Sequence, residues 1–166
     1  MIIRPESPAD HDAVRSILIA AFADHPHSRQ TEHLIVEALR ADGALTVGLV
    51  AEIDGDVLGH IAFSPVLIGG NDCLWFALGP VAVLPGFQRR GIGSRLVEEG
   101  LAAIRGLGAA GCVLVGEPTF YERFGFRNDA KLSMHRVPAQ YLLCLPISGE
   151  IPAGEVTHHP AFCISK

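Results

Sequence analysis

The chain has 166 residues, of which 49% are hydrophobic and 19% are charged. This composition excludes an intrinsically disordered protein, because the chain can bury enough apolar surface to offset the entropy lost on folding. The net charge of -5 argues against a nucleic-acid-binding protein, since neutralisation of phosphate supplies most of the affinity in that class. A chain of this length fits one hydrophobic core, and we predict a single domain over residues 1–166.

The N-terminus and the cysteines indicate the compartment. Residues 1–5 lack the long apolar stretch that a signal peptide or a membrane span requires, so we expect a cytoplasmic protein with no membrane partner. The cysteines are far apart in the sequence and form no C-x-x-C pair of the kind found in zinc and redox sites. We expect each to be a reduced, buried small hydrophobe. They are Cys73, Cys112, Cys144 and Cys163.

The N-terminal quarter predicts one strand and two helices. Ile2 and Ile3 begin the strand, and Ser7 is a candidate N-cap for the first helix. Each helix carries one apolar stripe at three- and four-residue spacing. The stripe of the first helix is Val14, Ile17, Leu18, Ala21 and Phe22. The stripe of the second helix, which begins near Thr31, is Leu34, Ile35, Ala38 and Leu39.

An antiparallel meander and a long helix are predicted next. The meander consists of β-rich runs at residues 45–53, 57–63 and 73–83, and residues 65–68 extend the second run. Asp54-Gly55 suits the tight hairpin turn between the first two. The helix follows Gly86 and presents one apolar face. That face is formed by Ile92, Leu96, Val97, Leu101 and Ile104.

The C-terminal third is predicted as a buried strand, a short helix and further strands. Cys112–Val115 is wholly apolar and follows the crossover helix, which predicts a buried strand parallel to the preceding one. A helix around residues 120–124 ends at Gly125. The remaining candidate strands are residues 132–137, 141–145 and 156–164. This order of elements predicts a mixed α/β fold with helices on both faces of the sheet.

The most informative segment is the strand-loop-helix junction at residues 78–101. Residues 88–93, Q-R-R-G-I-G, stand where the helix begins, so their main-chain N–H groups are unpaired donors at the positive end of the helix dipole. The two glycines leave these amides open to a phosphate, and the two arginines add charge at the rim. The loop contains no lysine for a P-loop, and Leu96 replaces the third glycine of a dinucleotide fingerprint. Phosphate binding of another kind is predicted.

Two motifs carry a family resemblance. Q-R-R-G-I-G-S at residues 88–94, preceded by V-A-V-L-P, resembles the Q/R-x-x-G-x-G/A signature of GCN5-related N-acetyltransferases, the GNAT family. F-Y-E-R-F-G-F at residues 120–126 looks like the family's F-Y-x-x-x-G-F stretch. Within the family, the chain resembles the YhbS-like bacterial branch. The resemblance implies the GNAT acyltransferase fold, a mostly antiparallel mixed sheet with one splayed parallel pair and helices on both faces.

The resemblance also implies an N-acetyltransferase that uses acetyl-CoA as co-substrate and no metal. The pantetheine arm of coenzyme A would pair with the main chain of Val81 and Val83, across a gap from Cys112–Val115, as an added strand does. The diphosphate would bind the amides of residues 88–94. A main-chain N–H of Val83 or its neighbour would stabilise the oxyanion. The implied cofactor-binding residues are Val81, Ala82, Val83, Gln88, Arg89, Arg90, Gly91, Ile92, Gly93 and Ser94.

Tyr121 occupies the position of the family's general acid, which protonates the departing thiolate. A phenol with an ordinary pKa of about 10 is protonated at neutral pH and ready for that role. The alternative role of Tyr121 is that of a core aromatic residue, packed with Phe120, Phe124 and Phe126.

The acceptor would be an amine of a small molecule or a peptide. The acidic net charge of the chain favours a cationic amine.

His60 is the candidate base that takes a proton from the amine. Its alternative role is that of a hydrogen-bonded structural histidine. Glu52, Glu117 and water chains are further candidates for the base. His25, His27 and His33 lack a helical or strand spacing that would converge metal ligands, so no metal is predicted.

Two other functions fit the sequence less well. A non-catalytic acyl-CoA sensor would keep the cofactor site and lack a working acceptor site, whereas a nucleotide-phosphate binder would bind ATP or NAD as well as coenzyme A.

The apolar, proline-rich segment at residues 141–162 allows a homodimer.

Overall fold

Eight strands and four helices occur in residues 1–165, which are the residues that the computed structural model describes. The strands are β1 (Ile2–Pro5), β2 (Val47–Ile53), β3 (Asp56–Ile68), β4 (Asn71–Val83), β5 (Gly111–Val115), β6 (Leu132–Ser133), β7 (Leu142–Pro146) and β8 (Gly154–His158). The helices are α1 (His11–Phe22), α2 (Glu32–Ala41), α3 (Ile92–Gly106) and α4 (Pro118–Tyr121). Short 3-10 turns occupy Pro8–Asp10, Glu122–Phe124, Ala139–Tyr141 and Pro160–Cys163. Residue 166 lies outside the described residues, and the single domain over residues 1–166 stays a prediction.

The main sheet is mixed and mostly antiparallel. Its strands follow the order β1-β2-β3-β4-β5-β7, and β4 and β5 form the parallel pair of this series. β8 pairs with the end of β3, and β6 pairs with β8. The hairpin between β2 and β3 turns at Asp54 and Gly55, which both have positive φ, 51° and 85°, as the Asp-Gly step predicts.

Helices cover both faces of this sheet, because successive residues of a strand point to opposite sides. Ala51 and Ile61 pack with α3 on one face, where all five predicted stripe residues of that helix are buried. Val50 and Ala62 pack with α1 and α2 on the other face. The predicted α/β fold, with its parallel pair and two helical layers, is confirmed.

The helical stripes are as predicted except in α2. There Val36, which was not predicted, is fully buried, whereas the predicted Leu34 is only half-buried. At the start of α1 the predicted N-cap residue Ser7 precedes a 3-10 turn, and its N–H donates to Oδ2 of Asp10 at 2.7 Å.

Within residues 1–165, no helix is both long enough and apolar enough to span a bilayer.

Two C-terminal strands are shorter than predicted. The strand predicted at residues 132–137 stops at Ser133, because β6 has only β8 as a partner and the N–H of Val137 bonds back to Met134 in a turn. The strand predicted at residues 156–164 stops at His158. Pro160 has no N–H to donate to a ladder and begins a 3-10 turn instead.

The cysteines are free thiols, but they are not all buried. Cys112 and Cys144 lie in the core on β5 and β7. Cys73 is half-buried, and Cys163 is exposed in the turn that replaces the end of the predicted last strand. The prediction of a buried thiol is therefore wrong at these last two positions.

Gly100 allows α3 to lie close to the sheet. A Cβ at this position would lie 2.3 Å from Cε1 of Phe63, a fully buried residue of β3. The ring has no free space to move into, since it lies in the same core cluster as the buried face of α3.

We therefore expect Gly100→Ala to lower the free energy of unfolding by about 1–3 kcal/mol, the usual cost of overpacking a core. Gly106→Ala is the matched control in the same helix, since no atom lies within 4 Å of the added Cβ. Alanine favours a helix by about 1 kcal/mol over glycine, so the control should be neutral or stabilising. Urea unfolding measures both changes, and a Gly100→Ala protein as stable as the control would contradict the tight contact.

Candidate active site

The site is built on the point where β4 and β5 separate. Three residue pairs join these strands, from Trp75 and Gly111 to Ala77 and Val113. Beyond Ala77, β4 continues to Val83 with β3 as its partner, while the end of β5 is paired with β7. A gap therefore opens between the two parallel strands.

A bulge in β4 accompanies this separation. Leu78 pairs with Phe63 of β3, and Val81 pairs with Ile61, so that Gly79 and Pro80 together oppose a single residue of β3. An extra residue bends the strand that carries it. The bend lies directly after the last β4–β5 pair, where the gap begins.

The main chain of β4 beyond the bulge faces the gap at alternate residues. The N–H of Leu84 donates to the carbonyl of Leu58 on β3 at 2.8 Å. Because main-chain groups alternate in direction along a strand, those of Val81 and Val83 point away from β3 and towards the gap. This is the edge to which the sequence assigns the pantetheine arm, and that assignment stays a prediction.

One main-chain group of this edge, the carbonyl of Val83, already has the side chain of Gln88 as its hydrogen-bond partner. The Nε2 atom of Gln88 donates to that carbonyl at 3.0 Å, which holds the loop against the end of β4. The sequence predicted only the main-chain amide of Gln88 as a binding group. The side-chain contact was not foreseen, because it depends on how the loop folds back over the strand.

A cavity of about 350 Å³ lies over the start of α3. It is lined by Val83, Phe87, Gln88, Arg89, Gly91, Ile92, Gly93, Ser94, Phe120 and Arg123. Seven of these residues are among the ten that the sequence assigns to coenzyme A. The cavity thus brings the predicted loop together with the second motif at residues 120–126.

The two loop glycines serve this cavity in different ways. Gly91 precedes α3 as its N-cap with φ of 83°, a conformation that side chains rarely adopt. A Cβ on Gly93 would lie 3.9 Å from Val83 and 4.0 Å from Phe120, between two walls of the cavity. Glycine at both positions keeps the first amides of α3 open to an anion.

The arginines around the loop differ in position. Arg89 lines the cavity and has a positive φ of 64°, whereas the guanidinium of Arg90 lies 5.3 Å from the centre of the Phe87 ring. Arg123 also lines the cavity, and its guanidinium lies 4.8 Å from the centre of the Phe120 ring. Sequence reasoning missed Arg123, although it lies inside the second motif.

Tyr121 ends α4 within an aromatic cluster. Its ring centre lies 4.8 Å from that of Phe120 and 6.0 Å from that of Phe126, both in edge-to-face geometry. A Cβ on Gly116 would lie 2.7 Å from Cε2 of Tyr121, so the glycine after β5 gives the ring its place. Packing thus fixes the ring, as the core alternative for this residue requires.

The hydroxyl group of Tyr121 is not used by this packing. It makes no hydrogen bond to any other group within residues 1–165. Burial raises the pKa of the phenol to about 12. The group is therefore a protonated donor without a protein acceptor, which is the state that a general acid needs.

His60 lies in a buried polar cluster on the α1/α2 face of the sheet. Its side chain is 0% exposed, and its Nε2 donates to Oε1 of Glu6 at 2.7 Å. Glu6 also accepts a hydrogen bond from Nε of Arg40 at 2.8 Å and lies 3.3 Å from Nε2 of His11. The other ring nitrogen of His60, Nδ1, is buried without a hydrogen-bond partner in the described part of the chain.

The carboxylate of Glu6 is held in its ionised form. Burial raises its pKa, but hydrogen bonds from His60 and Arg40, with their charges, outweigh that effect and bring the pKa down to about 2. The side chain of Glu6 lies over Gly48, where a Cβ would lie 3.2 Å from its carboxyl carbon. His60 is thus a hydrogen-bonded buried histidine, and its role as a base stays a prediction.

The other candidates for the base lie elsewhere. Glu52 pairs with Arg4 at 3.0 Å, while Glu117 is exposed at the start of α4. No cluster of three or more histidine, cysteine or acidic side chains suited to a metal occurs in residues 1–165.

Comparison with known proteins identifies the family. A family model described as an acetyltransferase (GNAT) domain matches residues 45–128. The N-acetyltransferase YhbS of Escherichia coli (strain K12) is 39% identical over 131 residues, which are 78% of this chain and 75% of YhbS. The N-acetyltransferase YjhQ of the same strain is 30% identical over 125 residues, 74% of this chain and 67% of YjhQ.

Solved structures agree over nearly the whole chain. A GNAT family acetyltransferase from Brucella melitensis, solved in complex with acetyl-CoA, is 50% identical with a TM-score of 0.88 over 97% of both chains. Escherichia coli YhbS, solved in complex with CoA, is 34% identical with a TM-score of 0.90 over 98% of this chain and 92% of its own. The chain therefore belongs to the GNAT family of acetyltransferases, in the branch that contains YhbS.

Proposed function

We propose that the protein transfers the acetyl group of acetyl-CoA to a primary amine, with Tyr121 as the general acid. The observation that carries this proposal is the cavity that joins the open amides of α3 to the second motif, beside the gap between β4 and β5. The acetyl-CoA and CoA complexes of the two solved relatives support the choice of co-substrate.

Coenzyme A is held mainly by main-chain groups in this proposal. The diphosphate lies against the amides of residues 88–94, where the helix dipole and Arg89 favour negative charge. The pantetheine arm lies along Val81–Val83 and pairs with their free main-chain groups in the manner of an added strand. To pair with the carbonyl of Val83, the arm must displace the side chain of Gln88.

The transfer is a direct attack of the neutral amine on the thioester carbon. The carbonyl oxygen becomes an oxyanion, which the main-chain N–H of Val83 stabilises, since that of Leu84 is bonded to the carbonyl of Leu58. When this intermediate collapses, the C–S bond breaks and its electron pair leaves on sulfur. Tyr121 gives the sulfur a proton, and the proton lost by the amine restores the phenol through solvent.

We expect Tyr121→Phe to lower kcat by about 100-fold, because the sulfur would then leave as an unprotonated thiolate. Binding of acetyl-CoA should stay within about twofold, since the ring and its edge-to-face contacts remain. Release of thiol in the presence of polyamines, aminoglycosides, amino acids and peptide N-termini measures kcat, and titration calorimetry measures binding.

The chain offers a matched control for this substitution. Tyr141 is the other of its two tyrosines and lies at the surface, 37% exposed. Tyr141→Phe should leave kcat unchanged. Full activity in Tyr121→Phe would contradict the acid role. A protein that binds acetyl-CoA but acetylates no amine of the panel would instead fit the non-catalytic sensor.

The raised pKa of Tyr121 predicts how the acid behaves at high pH. An ordinary phenol ionises around pH 10, but burial favours the neutral form and moves the pKa to about 12. The acid should therefore stay protonated up to about pH 11. The difference in phenolate absorbance between the natural protein and Tyr121→Phe reports this ionisation, and a midpoint near pH 10 would contradict the burial of the hydroxyl.

The base role of His60 predicts a change in the pH profile. A base must be neutral to accept a proton, so kcat/KM would fall as the pH is lowered. His60→Gln keeps a donor for Glu6 but cannot titrate, so the acid limb of the profile should disappear and kcat/KM should fall at neutral pH by about 100-fold. An acid limb that persists in this variant would contradict the role and leave His60 as a structural partner of Glu6.

A further inference from the structure

The carboxylate of Glu6 determines which ring nitrogen of His60 carries the proton. Burial raises the pKa of Glu6, but its hydrogen bonds bring it down to about 2, so the group is ionised at neutral pH. A carboxylate only accepts hydrogen bonds, so the proton of the 2.7 Å contact lies on Nε2 of the neutral imidazole. Nδ1 is then the ring nitrogen with a free lone pair, and it is the atom that can take up a further proton.

Nδ1 is also the ring nitrogen without a partner. His60 is 0% exposed, and its Nδ1 makes no hydrogen bond within the described part of the chain. A buried polar atom without a partner costs stability, so a histidine with a purely structural role is expected to use both nitrogens. The arrangement suits an atom whose partner is a ligand.

His60 lies one strand away from the gap between β4 and β5. It pairs with Ala82 of β4, which stands between Val81 and Val83, the two residues whose main chain points towards the gap. Neighbouring strands are about 5 Å apart. Ala82 packs on the α1/α2 face and carries only a methyl group there, so little side-chain bulk separates the imidazole from the gap.

The other contacts of Glu6 hold the carboxylate in place. Arg40 of α2 donates to its two oxygens at 2.8 Å and 3.2 Å, and Nε2 of His11 on α1 lies 3.3 Å away. The main-chain N–H of Glu6 donates to the carbonyl of Gly48 on β2 at 2.9 Å. These are the charged, titratable and main-chain groups whose contacts with Glu6 the structure describes besides His60. The carboxylate is thus held by β2, α1 and α2 when the imidazole gains a proton.

We propose that Glu6 is the positioning residue for His60 and that Nδ1 of His60 takes the proton of the acceptor amine. The inference rests on the proposed transfer to an amine and on the base role of His60. An N–H bond of the ammonium form breaks, the proton moves to Nδ1, and the electron pair stays on the amine nitrogen, which then attacks the thioester carbon. Glu6 remains ionised and stabilises the imidazolium, as the buried carboxylate of a Ser-His-Asp triad does. Loss of the Nδ1 proton to solvent restores the neutral ring.

NMR of the imidazole nitrogens tests the tautomer directly. Proton–nitrogen spectra of protein with isotope-labelled histidine distinguish a protonated from a bare ring nitrogen, and comparison with His60→Gln identifies the signals of His60. At alkaline pH we expect a proton on Nε2 and none on Nδ1. In Glu6→Gln the amide can donate to Nε2 as well as accept from it, so the form with the proton on Nδ1 should become populated. A natural protein with the proton on Nδ1 would overturn the proposal.

Glu6→Gln also tests the effect on the reaction. We expect kcat to fall by about 10- to 100-fold with little change in KM for the amine, since the base is present but no longer fixed in its active tautomer. A neutral amide stabilises an imidazolium less than a carboxylate does, so the acid limb of the kcat/KM profile should move to lower pH.

Arg40→Gln is the matched control for this substitution. It removes another hydrogen bond from the same carboxylate but leaves the contact between Glu6 and His60. It should lower stability, yet keep the proton on Nε2 and not move the acid limb to lower pH. Thermal unfolding compares the stability of both variants, and the tautomer of the natural protein tests the proposal even where Glu6→Gln is too unstable to assay.

The outcomes separate this inference from the proposed function. The same tautomer and the same acid limb in Glu6→Gln and Arg40→Gln would overturn the role of Glu6, whereas a loss of activity in Tyr121→Phe would still support the acetyltransferase. An acid limb that persists in His60→Gln would overturn the base role and this inference together. Failure of the natural protein to acetylate any amine would overturn the proposed function and, with it, the inference.

Discussion

The loss of pairing between β4 and β5 is the constraint on which the site depends. A main-chain edge inside a sheet must find partners, because unpaired N–H and C=O groups away from water are costly. Here the bulge at Gly79 and Pro80 turns β4 away after Ala77, and the freed edge is partly satisfied by the side chain of Gln88. In the proposed function, the amides of the pantetheine arm replace that side chain.

The same separation places the other parts of the site. β4, which bends away, ends at Val83 and is followed by the loop before α3. β5, which stays paired with β7, ends at Val115 and is followed by Gly116 and then α4, which carries Tyr121. The loop at residues 88–94 and Tyr121 therefore follow the two strands that border one gap, and the sheet sets their relative position.

The opposite face of the sheet is held by a different interaction. Glu6, just after β1, contacts His60 of β3, His11 of α1 and Arg40 of α2, so one carboxylate joins the sheet to both helices of that layer. Its depressed pKa shows that these contacts favour the ionised form in spite of burial. Removing one partner of such a cluster leaves a buried charge without compensation, which is more costly than losing a surface ion pair.

Local patterns account for most of what the sequence predicted correctly. The five-residue stripe of α3, the Asp54-Gly55 turn and the loop glycines are each specified by neighbouring residues, and all of them occur as expected. The strand at residues 132–137 was predicted too long because β-propensity does not reveal whether a partner strand continues. The Glu6–His60 contact joins residues 54 apart in sequence, and only the completed sheet brings them together.

Arg123 and Tyr121 show how a short motif carries more than its signature indicates. The Phe120 ring contacts the guanidinium of Arg123 and the ring of Tyr121 at ring-centre distances of 4.8 Å in both cases. Phe120 also lines the cavity, so the ring that packs against Tyr121 is one that a ligand of the cavity would contact. In the proposed reaction, contacts at the phosphate end of coenzyme A would help to hold Tyr121 at the thioester end. That use of remote binding energy is how enzymes position the groups that act in the transition state.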